Sequence, residues 1–140
     1  MANPSEYNES LPSGGKLIVR ETSWFIHYYF SGPDLRHNGE IVEVKSKMID
    51  DYIDAFISNY NKWESLKSVI PAGGEFECIG MCDMGIRIGK FYSGVNIAKW
   101  YNHLSGSCFP INSKEKLDQV ISDYRYCKKR AIEVQGLLYK

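Results

Sequence analysis

Four cysteines and three histidines are the side chains of this chain best suited to chemistry. Cys78 and Cys82 form a Cys-x-x-x-Cys pair, and His103 and Cys108 follow in a glycine-containing stretch. Two thiolates from a turn and a Cys/His pair from a loop would complete a zinc tetrahedron. The spacing departs from the usual two-residue knuckle, however, and a hairpin would set Cys78 and Cys82 on opposite strands. Thiols are also common in protein cores on their own account. The reading is therefore free thiols, with no metal and no cofactor.

Nucleophilic catalysis fares no better. Cys108 as a nucleophile needs a base within hydrogen-bond reach and a partner to orient that base, and His103 is close in sequence only. No serine sits in a nucleophile-elbow pattern, and the local cysteine-protease signatures are missing. His27 lies among aromatics in an extended segment and reads as a hydrogen-bonded core or face residue. Asp50, Asp51 and Asp54 fall at a helix start, where carboxylates match the dipole, and none pairs with another as acid and base. Gly73-Gly74 and Gly85-x-x-x-Gly89 have neither the following Lys-Ser or Lys-Thr nor the strand–loop–helix setting of a phosphate loop. Lys128-Lys129-Arg130, with Arg125 a turn earlier, reads as a solvated helix face near the negative end of the dipole. No catalytic residue is assigned.

The elements that must position these residues are clearer. From 113 to about 138, Leu117, Val120, Ile121, Tyr124, Cys127, Ala131, Val134 and Leu138 recur at steps of three and four, so they share one face of a helix. Residue 112 or 113 caps it. A second helix is expected over 46–70, capped by Ser46, carrying Ile49, Tyr52, Ile53, Phe56, Tyr60, Trp63, Leu66 and Ile70, and stopped by Pro71. Residues 16–30 alternate β-branched and aromatic side chains and predict one long or bulged central strand. A loop between Ser31 and Gly39 turns the chain back into a return strand over 40–44. Further strands are expected at 75–79 and 85–90, with another over 91–97, and an irregular loop over 98–112. Residues 1–15 read as a flexible lead-in, and 16–140 as one domain. Together they predict an α+β fold: an antiparallel sheet of about four to five strands with two long amphipathic helices on one face.

A length of 140 residues suits one domain large enough to bury a core. Lys plus Arg and Asp plus Glu balance at 17 each, which argues against a generic nucleic-acid binder. No apolar run approaches the roughly 18 residues of a membrane span. The first fifteen residues hold no signal-peptide core, so a cytoplasmic location is expected. Ten Tyr, six Phe and three Trp make aromatics the unusual term of the composition, and the stiff, amphipathic Tyr suits either a protein–protein surface or half-buried strand and helix positions.

In general make-up the chain resembles bacterial immunity proteins, which neutralise a cognate secreted toxin domain. The resemblance runs over the whole chain, including the Trp63 helix, the Gly85-Ile86-Arg87-Ile88-Gly89 strand and the Lys128-Lys129-Arg130 helix. It implies a non-enzymatic protein-binding protein whose partner is a toxin domain, held by a few central anchors. Candidate anchors are Tyr28, Tyr29, Arg36, His37, Tyr92 and Tyr101. Two other classes fit the residues. One is an enzyme or small-ligand binder using the 98–112 loop, with Trp100, Tyr101, His103 and Cys108 around a pocket. The other is a homo-oligomeric phage or bacterial structural protein, the last helix pairing with its copy.

Overall fold

The computed structural model describes residues 6–29, 41–71, 73–80, 82, 84–89, 93–97 and 109–139. They build an α+β fold with two four-stranded antiparallel sheets in place of the single sheet expected. The first holds β1 (Tyr7–Ser10), β2 (Lys16–Val19), β3 (Trp24–Tyr29) and β4 (Ile41–Lys45) in chain order. A 3-10 turn at Ser46–Met48 leads into helix α1 (Ile49–Leu66). The second sheet holds β5 (Phe76–Ile79), β6 (Gly85–Ile88), β7 (Ser93–Ile97) and β8 (Phe109–Ile111), again in order, and helix α2 (Lys114–Leu138) closes the chain. Helix α1 packs against β4 of the first sheet and against β6 and β7 of the second, while α2 lies on β2 and on α1. The second set of strands pairs among itself and adds no strand to the first.

Several boundaries differ from the sequence reading, each for a physical reason. Residues 6–15 are not a flexible lead-in: β1 pairs with β2, and Leu11 and Ser13 are buried. Over 16–29 the chain expected as one strand is a hairpin, with Leu17 opposite Ile26 and Val19 opposite Trp24. Its turn is closed by the Arg20 N–H, which donates to the Ser23 carbonyl at 2.8 Å. Ser46 caps no α-helix; α1 starts after Met48, without a side-chain cap, with Asp50 and Asp51 in its first turn. Past its end at Leu66 the chain makes a tighter turn, the Val69 N–H donating to the Leu66 carbonyl three residues back, and the Ile70 N–H shares that acceptor. Only α2, at 25 residues against 18, reaches the length expected of both helices. Its Ser113 cap is present, the side chain accepting from the Lys116 N–H at 3.1 Å.

One core joins both sheets and both helices. Leu17, Val19, Ile26, Tyr28, Val42 and Val44 come from the inward face of the first sheet, and Ile86, Val95 and Ile111 from the second. The α1 residues Ile49, Ile53, Phe56, Tyr60 and Trp63 and the periodic stripe of α2 fill the space between. An N-terminal strap is tied across this core to α2. Glu9 accepts hydrogen bonds from Tyr126, from Tyr7 at 2.6 Å and from Arg130 at 3.4 Å. Four residues on, the Ser13 N–H donates to the buried Asp123 carboxylate at 2.7 Å, and Lys116 donates to the Ser13 carbonyl at the same length. Burial pushes the Glu9 carboxyl up, but its three hydrogen-bond donors more than offset this and hold it below the usual carboxylate range.

Candidate protein-binding face

Strand alternation decides which side chains of the first sheet meet the helices and which face away. Register sets Leu17, Ile26 and Val44 in one inward row and Tyr28 with Val42 in the next. The residues between them point outward: Ile18, Phe25 and Lys45 in one row, Lys16, His27 and Glu43 in the next, then Tyr29. Phe25, His27 and Tyr29 thus form an aromatic stripe along β3, flanked on both neighbouring strands by ionisable side chains.

The stripe is internally braced. The Phe25 and His27 rings lie 4.7 Å apart at 33°, and the Arg20 guanidinium covers Phe25 at 4.9 Å from its centroid. Phe25 is buried even though it faces away from the helices. His27 Nε2 and Glu43 Oε2 stand 3.1 Å apart across β3 and β4. Arg20 in turn pairs with Glu6 at 3.3 Å. Tyr29, 54% exposed, ends the row. One exposed phenol beside hydrogen-bonded ionisable side chains suits recognition of another surface, because it offers an amphipathic ring together with hydrogen-bond capacity.

Of the expected anchors, Tyr29 sits on this face. Tyr28 does not. It points inward with no exposed surface, its hydroxyl 3.3 Å from Ser13 Oγ and its ring 6.3 Å from that of Tyr124. Burial pushes its phenol well above the ordinary range. Tyr28 is therefore corrected from partner anchor to core residue, because the register assigns adjacent residues of β3 to opposite faces. Arg36, His37, Tyr92 and Tyr101 lie outside the described residues, as do His103 and Cys108.

Cys78 and Cys82 are half-buried thiols, and Cys78 Sγ accepts from Lys62 Nζ at 3.5 Å. Among the described residues, no three His, Cys, Asp or Glu side chains come together as a metal set. The fourth thiol, Cys127, is in the core, where burial pushes it up to about 12. The basic run on α2 is partly engaged within the chain: Lys128 pairs with Asp50 at 3.0 Å, and Arg130 with Glu9 and Glu133 at 3.4 Å each. No helix among the described residues is long and apolar enough to cross a membrane.

An open cleft of about 520 Å³ lies elsewhere, between the end of α1 and the second sheet, lined by Ile70, Pro71, Gly74, Glu75, Ile88 and Gly89 among others. Glu75 is the one charged side chain among its described lining residues, and a ligand site needs several convergent polar groups. Sequence reading passed over Phe25, Arg20 and Glu43, the residues that surround His27. The alternation over 24–29 could have found Phe25; the ion pairs needed the strand register. No family model, curated protein or solved structure matches the chain.

Proposed function

We propose that this chain is a non-enzymatic protein-binding protein, of the kind that bacterial immunity proteins represent, and that it binds and blocks a cognate toxin domain. The observation that carries this reading is the outward stripe of β3, where Tyr29 stands exposed beside the braced His27–Glu43 pair. Tyr is a favoured anchor at protein interfaces because its stiff ring brings large area at small entropic cost and its hydroxyl finds a partner. Along the stripe, Lys16 and Glu43 beside His27 and Arg20 and Lys45 beside Phe25 supply mixed charge, which sets orientation and partner choice. Work of this kind requires no bond-making step from the chain.

The test is binding and neutralisation of a toxin-like protein encoded immediately beside the chain. The two purified proteins should form a stoichiometric complex, and co-expression should relieve the toxin's effect on growth. The double variant Tyr29→Ala, His27→Ala should remain folded and lose the complex. Neutralisation undiminished in that variant contradicts the assignment of the face, and no complex with the wild-type chain contradicts the function.

A further inference from the structure

We propose that Lys62 and Cys78 are a modification site, at which peroxide joins α1 to β5 through a sulfur–nitrogen bond. Lys62 is an exposed residue on α1, and Cys78 is half-buried on the first strand of the second sheet. Their reactive atoms, Nζ and Sγ, are already 3.5 Å apart, so an amine nucleophile is held against the sulfur before any chemistry occurs. No backbone rearrangement is needed to bring them into reach.

A second observation concerns the surroundings of this pair. Asn59, one helical turn before Lys62, is only 4% exposed, and its Nδ2 finds no hydrogen-bond partner among the described residues. Its carboxamide rests on Gly80, where a Cβ would fall 2.5 Å from Oδ1 and 2.7 Å from Nδ2. Gly80 is two residues beyond Cys78 and thus on the same side of the extended chain. A buried donor without an acceptor thus lies on α1 one turn before Lys62 and packs on the segment that follows Cys78.

The chemistry balances with one peroxide. Cys78 sulfur attacks a peroxide oxygen, the O–O bond breaks, and a sulfenic acid and one water result. Lys62, after giving a proton to solvent, attacks Sγ through Nζ. The N–S bond forms, the S–O bond breaks, and the hydroxyl leaves as a second water after taking up a proton. Sulfur is oxidised by two electrons and the peroxide is reduced by two. A dithiol reverses the step, restoring thiol and amine while becoming a disulfide. This modification is independent of the binding function.

Hydrogen peroxide treatment of the whole chain, followed by alkylation and mass spectrometry, tests it. The expected product lacks two hydrogens, resists alkylation at Cys78, is not cut by trypsin after Lys62, and returns to the starting mass with dithiothreitol. Lys62→Arg keeps the charge at an exposed helix position and should abolish that product, leaving Cys78 as a sulfenic acid that dimedone captures. The double variant Cys82→Ser, Cys108→Ser should still form it. A two-hydrogen loss that survives Lys62→Arg, or one that vanishes in the double variant, assigns the change to a disulfide and overturns the proposal. So does a Cys78 that peroxide leaves fully alkylatable or carries only to sulfinic acid in the wild-type chain.

Discussion

Tyr28 and Tyr29 are neighbours on one strand and live in opposite environments. Tyr28 is sealed between the first sheet and α2, against Ser13 and Tyr124, while Tyr29 stands in solvent at the end of an aromatic row. The pleat alone separates them, since successive side chains of a strand leave by opposite faces. The difference teaches that an excess of tyrosine has no single meaning in this chain. On the inward face the ring is packing, and on the outward face it is available surface.

The contrast can be broken by substitution, starting on the inward face. Tyr28→Ala should cost about 3–5 kcal/mol, the range for deleting a large ring from a packed core, seen as a fall in the urea midpoint. Asp123→Ala should cost about 1–3 kcal/mol by the same measurement, because the buried Ser13 N–H loses its acceptor. Ser113→Ala removes the α2 cap and should cost about 1 kcal/mol. At the far end of the scale, Tyr29→Ala should shift the midpoint by no more than about 0.5 kcal/mol. If Tyr28→Ala and Tyr29→Ala destabilise equally, the two faces are not distinct and the comparison fails.

A pH titration sharpens the account of the strap that covers the inward face. The Glu9 carboxyl is held below its unfolded value, so the folded state favours its ionised form. The stability it contributes is fully present above the unfolded pKa and is lost as pH falls through the lower, folded value. Stability should therefore drop on acidification below about pH 4.5, and Glu9→Gln should flatten that limb while lowering stability at neutral pH. An unchanged acid limb in Glu9→Gln would place the sensitivity in other carboxylates.

How far the fold was legible follows the range of the interactions involved. Helix α2 and its Ser113 cap were readable because a long apolar period and a local hydrogen bond both lie within the segment. The hairpin between β2 and β3 was not. Its Glu21-Thr22 turn uses no left-handed backbone, Cys82 being the one described non-glycine with positive φ, so no Gly or Asn marks it. Strand β1, Tyr-Asn-Glu-Ser, is polar and is held by α2 residues more than a hundred positions away. Strand β8 contains Pro110, which suits an edge strand but obscures the strand in sequence. The candidate face was half visible: the alternation over 24–29 was legible, yet the inward or outward sense of each residue depends on pairings to β2 and β4.

The most direct test is the affinity of Tyr29→Ala for the toxin-like partner, by calorimetry, beside its unfolding midpoint. The expected result is a midpoint close to wild type and a loss of about 2 kcal/mol in binding, roughly thirty-fold, as for an aromatic interface anchor. Wild-type affinity in a stable variant would contradict it.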